Sequence, residues 1–434
     1  MENKNNNNAH KASRKNGIDE IINEYMERRR ERTYKQDEAF DKALTPDSEN
    51  NGEAKAVIYR NGIDVRFLIY VIILLCFGAV MSYSASCINA EQKYGDSSYF
   101  IIRYIIFAIA AIAVTVPFVM YARPWLWKCF GTVTYVGSMF LLLLVLVMPG
   151  ISGEFNGAQR WIDLGFITIQ PSEIAKTGVV MMLAFYMSKY DKQLINDKDW
   201  KKEFKYGVFY PACIFGAVCV LVMLEKHISG LMILGMLGIA VMYIGGTRQK
   251  WIFMIIGAIA VAGCLLILVS DYAQTRVNTW INIDKVDPLG SAYQTLQGLY
   301  AIGSGGFFGV GLGNSRQKYG YVPEPQNDFV FTIICEELGF VGAALIFVLF
   351  GLLIIRGFKI AARAPDKYTS LLAFGLTFKV ALQTAMNIAV VTNSMPNTGI
   401  ALPFFSSGGT ALALQIFEMG IILSVSRFST VKKK

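Results

Sequence analysis

The sequence predicts an all-α polytopic membrane protein: ten transmembrane helices, both termini cytoplasmic, and a large extracytoplasmic loop between the seventh and eighth. Three observations carry this. Of 434 residues, 54% are hydrophobic and only 17% are charged, against roughly 25% charged in a soluble domain. A bilayer core about 30 Å thick needs about 20 apolar residues per helix, and ten runs meet or approach that length. The Lys/Arg-rich loops alternate with sparse ones along the chain.

The runs fall near Arg66–Tyr83, Phe100–Met120, Trp127–Met148, Ser172–Met187, Phe209–Leu224, Ile228–Gly245, Trp251–Ser270, Phe329–Ile355, Ser370–Val391 and Gly408–Ser426. A long polar amino terminus precedes the first, so no cleavable signal is expected. Residues 1–64 form a polar leader in which Ile18, Ile21, Ile22, Tyr25 and Met26 make one helical stripe. Residues 65–427 form the membrane domain, and 428–434 a basic tail. The loop after helix four holds Lys189, Lys192, Lys198, Lys201, Lys202 and Lys205; later loops on that side hold Arg248, Lys250, Arg356, Lys359, Arg363 and Lys367. That side is cytoplasmic by the positive-inside rule.

Composition excludes a disordered chain, a disulfide scaffold and a nucleic-acid-binding domain; the +9 net charge belongs to cytoplasmic loops. The seven cysteines include no CxxC pair and read as small buried hydrophobes. With only His10 and His227, neither a histidine-rich metal site nor a serine–histidine triad is expected.

The unusual polar residues collect on the outer side, and ionisable groups inside a bilayer are costly enough to mark a cavity or a partner. Before and within helix four lie Gln159-Arg160-Trp161, Asp163 and Gln170-Pro-Ser-Glu173-Ile-Ala-Lys176. Glu173 and Lys176 share a face at i, i+3, which fits either an ion pair closing the helix start or, with Arg160, a pocket for an anionic ligand. Gly303–Gly313 is dense in glycine, but no strand precedes it and topology puts it outside. A nucleotide loop is therefore excluded, and a re-entrant or closely packed loop is favoured. Asp328 stands at the mouth of helix eight, in Pro323-Glu-Pro-Gln326-Asn-Asp328, with Glu336 and Glu337 two turns deeper. Two carboxylates inside a membrane helix point to function over structure. The last outer loop, Pro396 to Gly409, is uncharged, and its hydroxyls offer neutral donors for a phosphate or sugar.

Gln159-Arg-Trp, Gln170-Pro-Ser-Glu-Ile-Ala-Lys, Pro323-Glu-Pro-Gln-Asn-Asp-Phe-Val-Phe, Glu336-Glu-Leu-Gly and Leu402-Pro-Phe-Phe-Ser-Ser-Gly-Gly resemble the SEDS family (FtsW, RodA, SpoVE) over residues 66 to 427. The Pro-Glu-Pro-Gln wording is nearer the SpoVE/FtsW branch. Departures are Ser407, Thr410 and Ala411 in the last loop, and Glu225-Lys226-His227 where the family usually has Gln-Pro-Asp. The resemblance implies a peptidoglycan glycosyltransferase that polymerises lipid II, serving division, elongation or spore cortex synthesis. It implies Asp328 as the catalytic residue, and Arg160, Glu173, Lys176, Gln326, Glu337, Thr398 and Ser406 as substrate-binding residues. The implied partners are a class B penicillin-binding protein and divisome, elongasome or sporulation proteins, at the bacterial cytoplasmic membrane. Asp328 with Glu336 or Glu337 also offers carboxylates to a divalent cation, magnesium or manganese. Two other classes stay open: a lipid II flippase or transporter, which would show broken helices at the midplane, and a non-catalytic scaffold of a cell-wall complex.

Helix arithmetic adds one expectation of its own. At 1.5 Å per residue, Lys379 on helix nine and Glu418 on helix ten reach similar mid-bilayer depths, with Gln383 and Asn387 on the lysine's face. Each charge alone costs at least ~2.5 kcal/mol there, so the two are expected to pair.

Overall fold

The computed structural model of the chain describes residues 62–428, apart from 122–123, 149–151, 156–157, 166, 197–198, 284, 286, 288–289, 291 and 407. The expected leader helix over residues 18–26 and the basic tail beyond Phe428 lie outside the described residues. The long helices are α1 (Val65–Tyr94), α2 (Tyr99–Tyr121), α3 (Pro124–Val147), α4 (Pro171–Lys189), α5 (Trp200–Leu224), α6 (Ile228–Gly245), α7 (Gln249–Val269), α8 (Asp271–Ile281), α9 (Tyr293–Ser304), α10 (Val330–Ala362), α11 (Lys367–Val391) and α12 (Gly409–Ser426). Helix α5 starts nine residues before the expected position and passes through one π-helical turn, Lys205–Phe209.

Among the described residues, nine helices are long and apolar enough to cross a bilayer; α4 is not one of them. Its first two turns carry Ser172, Glu173, Lys176 and Thr177, which lower its hydropathy, and it is buried by protein along most of its length. It packs on α3, α5, α6 and α11. A helix enclosed by other helices can hold polar side chains that lipid would not accept. Helices α11 and α12 are likewise mostly buried, whereas α7 is almost wholly exposed and faces the surrounding solvent or lipid. Of the seven cysteines only Cys335 is buried; Cys76, Cys129, Cys213 and Cys264 are exposed on their helices, where hydrocarbon accepts a thiol, which corrects the expectation of burial.

Three features depart from the architecture expected of the sequence. Between α3 and α4 the chain forms a small antiparallel sheet of β1 (Ser152–Phe155), β2 (Ala158–Asp163) and β3 (Thr168–Ile169), in that order. Ile162 is buried and pairs with Ile169, and the Thr410 hydroxyl ties the sheet to α12 by donating to the Thr168 carbonyl at 2.7 Å. The stretch 271–328, expected as one long loop, contains α8 and α9. Third, α10 is broken at Gly339, whose φ of 64° and ψ of −162° only glycine adopts readily.

The glycine-dense segment repairs that break. Backbone N–H groups of Val310 and Gly311 donate to the carbonyls of Glu336 and Glu337, both at 3.0 Å, and Phe340 N–H donates to Gly306 at 3.0 Å. Backbone polar groups inside a membrane must find protein partners, and here the loop supplies them by close packing, in line with the close-packed loop that its glycines predict. The sequence predicts no broken helix; this one is closed by backbone hydrogen bonds from the glycine loop.

Candidate active site

Several segments converge on a cavity of about 440 Å³. The facing ends of α1 and α2 contribute Lys93 and Arg103, β2 contributes Arg160, and α4 contributes Glu173 and Lys176. The α5–α6 turn adds His227, the segment before α10 adds Glu324, Gln326 and Asp328, and the α11–α12 connection adds Ser406.

Helix α4 starts at Pro171, suited to a first helical turn, which brings Glu173 and Lys176 to the cavity floor as an ion pair. Arg160 reaches the wall from β2, anchored by a 2.6 Å bond from its guanidinium to the Lys226 carbonyl. Asp328 is held by its backbone. The Asn387 amide of α11 donates to the Asp328 carbonyl and to the Ile400 carbonyl, both at 2.7 Å, stapling the segment before α10 to the α11–α12 connection. Burial, aided by the nearby Glu324 charge, pushes the Asp328 carboxyl up to about 7, against a backbone hydrogen bond and the Arg276 charge, which lower it. An acid with that pKa exchanges a proton near neutrality, as a general base must. Gln326 is buried and accepts a hydrogen bond from Asn89 at 3.4 Å, and the Ser406 hydroxyl donates to Leu402 at 3.2 Å.

Two expected site residues are elsewhere. Glu337 is fully buried and does not line the cavity. Its carboxylate is taken by Lys318 at 3.0 Å, by the Ser84 hydroxyl at 2.7 Å and 2.8 Å, and by Ser315 N–H at 3.3 Å. Glu336 accepts from the Ser315 hydroxyl and from Arg316 N–H at 2.9 Å. The paired glutamates therefore pin the segment after the glycine loop and stand apart from the cavity lining. About 12 Å of helix rise separates Asp328 from Glu336, so neither glutamate joins Asp328 at a cation. Thr398 also lies outside the lining, its hydroxyl buried without a partner. Among the described residues no cluster of three metal-ligating side chains occurs.

The structure adds residues that sequence reasoning misses. His227, set aside on composition, is buried in the cavity wall with its Nδ1 3.1 Å from the Ser172 hydroxyl. Burial, reinforced by Lys176 and Arg160, holds its pKa down at about 3, so the ring is neutral. Lys93 spans the mouth to Glu324 at 2.7 Å; as a single lysine in a short loop it carries no motif. Glu225 is buried with both carboxylate oxygens unpartnered, and burial pushes its pKa up to about 8. A raised carboxyl pKa favours the folded state below the unfolded value of 4.5, and that advantage is lost as pH rises to about 8. Glu225→Gln should therefore flatten the fall in melting temperature of the purified protein between pH 6 and about pH 8.5; an unchanged slope would contradict the burial.

The Lys379–Glu418 pair forms as the depth arithmetic predicts, at 2.5 Å. It is not isolated. The Thr177 hydroxyl also donates to Glu418, and Lys379 lies 3.7 Å from Glu173. Lys176, Glu173, Lys379 and Glu418 thus alternate in sign from the cavity floor into the helix core.

The model of the FtsW/RodA/SpoVE family, described as cell cycle protein, matches residues 65–431. The chain belongs to the FtsW/RodA/SpoVE family. It is 40% identical over 370 residues to stage V sporulation protein E of Bacillus subtilis, covering 84% of this chain and 97% of that one. It is 36% identical to a probable peptidoglycan glycosyltransferase FtsW of Geobacter sp. strain M18, again over 84% of this chain and 97% of the relative. A solved peptidoglycan synthase complex, described as coordinating polymerization and crosslinking, contains a chain that aligns with a TM-score of 0.67 at 25% identity, over 84% of this chain and 98% of its own. The crystal structure of RodA from Thermus thermophilus shares the fold, with a TM-score of 0.61 over 85% of this chain and 98% of its own. The family member described here is a multi-pass membrane protein.

Proposed function

We infer that this protein is a peptidoglycan glycosyltransferase that polymerises lipid II at the outer face of the bacterial cytoplasmic membrane. The observation that carries it is one cavity with Lys176 and Arg160 among its walls and, in the same lining, a carboxyl titrating near neutrality, Asp328. With α4 counted as a protein-enclosed span, ten helices put both termini in the cytoplasm and the cavity outside, where nucleotide sugars are absent and a sugar donor arrives on a lipid.

The chemistry follows from the positions. Lys176 and Arg160 bind the diphosphate that links sugar to lipid and stabilise the negative charge it gains on leaving. Asp328 takes the proton of the acceptor hydroxyl as its oxygen bonds to the anomeric carbon and the carbon–diphosphate bond breaks. Attack from the face opposite the leaving group inverts that carbon. Gln326, Ser406 and the neutral His227 offer hydrogen bonds to sugar hydroxyls. Were a magnesium or manganese ion to take part, Glu324 and Asp328 of the cavity lining are the carboxylates that would hold it, and it would neutralise diphosphate charge.

The assay is polymer formation from lipid II by the purified protein. Activity should rise as pH passes through about 7, as Asp328 loses its proton. Lys176→Met should raise the KM for lipid II by roughly ten- to a hundredfold, since a charge-assisted hydrogen bond contributes about 1.5–3 kcal/mol. Unchanged saturation would reduce Lys176 to a partner of Glu173.

A polymerase of this kind works beside a crosslinking enzyme, and the solved synthase complex supports a class B penicillin-binding protein as partner. Of the two helices that follow the catalytic segment, α10 and α11, the second is mostly buried. Helix α10 therefore offers the contact surface, through exposed Phe340, Val341, Phe347 and Val348. Division, elongation or sporulation proteins would set which process it serves.

A further inference from the structure

We propose that Lys379 is a positioning residue, a reserve cation that takes over Glu173 when Lys176 turns to the substrate. The proposal rests on the reading above that a lipid-linked diphosphate binds in the cavity. Lys176 is 2% exposed and its ammonium is engaged by Glu173. A diphosphate bound at the cavity floor needs that ammonium, and drawing it away would leave Glu173, part-buried at 17% exposure, short of positive charge. Removing one partner from a buried ion pair is strongly destabilising, so a site built from Lys176 and Glu173 alone would resist its own substrate.

The structure supplies the missing partner behind the pair. Lys379 sits 3.7 Å from the Glu173 Oε2, about an ångström beyond an ordinary charge-assisted contact. The Gln383 amide, one turn along α11, lies 3.5 Å from the same oxygen. Lys379 and Glu418 are outside the cavity lining, so neither meets substrate. Glu418 holds Lys379 at 2.5 Å and is itself held by the Thr177 hydroxyl, which tethers the lysine at that depth. A short movement of the Lys379 ammonium toward Glu173 lets Lys176 leave without stranding a part-buried carboxylate unpaired. The Lys379–Glu418 pair is therefore coupled to the site rather than being only a repair of two mid-membrane charges.

The decisive variant is the double change Lys379→Met with Glu418→Gln, which removes both charges of the pair. A purely structural pair predicts that thermal stability and lipid II kinetics both recover relative to Lys379→Met alone. The proposal predicts that stability recovers while the KM for lipid II stays roughly tenfold above the wild type, with a smaller change in kcat. Lys379→Arg, which keeps the charge, should hold KM within about threefold of wild type, and it carries the test if the double variant does not fold. A double variant with wild-type KM, or an arginine variant as impaired as Lys379→Met, would overturn the role of Lys379. The wild-type protein is assayed alongside. If it makes no polymer, the functional reading fails; if it does, the variants judge Lys379 alone.

Discussion

Asp328→Asn should abolish glycan polymerisation while leaving a folded, membrane-inserted protein. The substitution keeps the shape of the side chain and the backbone carbonyl to which Asn387 donates at 2.7 Å, so the outer segment stays stapled to α11. What disappears is a basic oxygen able to take a proton. General bases contribute roughly 10²–10⁴-fold to a rate, so polymer on a gel should drop at least a hundredfold, with melting temperature close to wild type. The variant should also lose the rise in activity around pH 7 that burial of Asp328 produces. Polymer at normal rates from the purified variant would remove Asp328 from the chemistry. So would an unaltered pH profile in a weakly active variant.

The second large effect is on stability, and it belongs to the glycine loop. A Cβ at position 305 would lie 1.9 Å from the Cys335 carbonyl oxygen, and one at 309 would lie 2.1 Å from that of Glu337. Both obstacles are backbone, which cannot swing aside like a side chain. Position 309 also has φ of +80°, which costs any other residue about 1–2 kcal/mol before the clash is counted. Gly309→Ala should therefore lose at least ~3 kcal/mol through overpacking and strain together, seen as a large fall in melting temperature or failure to accumulate in the membrane. Gly303→Ala is the internal comparison: nothing lies within 4 Å of its Cβ and it is helical. It should be neutral or stabilising by up to ~1 kcal/mol. Equal stability for the two variants would mean that the loop does not seal the break at Gly339.

Part of the candidate site is legible in the amino-acid sequence. Glu173 and Lys176 fall on one face because i, i+3 spacing and a proline at the helix start determine it locally. Asp328 is marked by its place at a helix mouth, and Arg160 by its motif. The same reasoning does not reveal that Glu337 and Thr398 lie outside the cavity lining. A carboxylate in a membrane helix signals an expensive group but not who satisfies it, and the answer for Glu337 is Lys318, in a stretch read from the sequence as an outer loop. His227 escapes notice because a lone histidine has no pattern; only the α5–α6 turn brings it beside Ser172.

What the sequence by itself determined follows from one-dimensional physics. The spans, the charge asymmetry of the loops and the matching depths of Lys379 and Glu418 depend on residue count, hydrophobicity and a fixed rise per residue. Family membership is in the same class, since the motifs are contiguous words. Tertiary structure decided whatever depends on which helices touch and how each is rotated. It buried α4 among α3, α5, α6 and α11, so a helix too polar for lipid became the floor of the cavity. It laid the glycine loop against a broken α10, and it put Lys379 within reach of Glu173 as well as Glu418. Depth along the membrane normal is additive in residues and can be counted. Azimuth is set by packing between segments far apart in the chain, and nothing local encodes it.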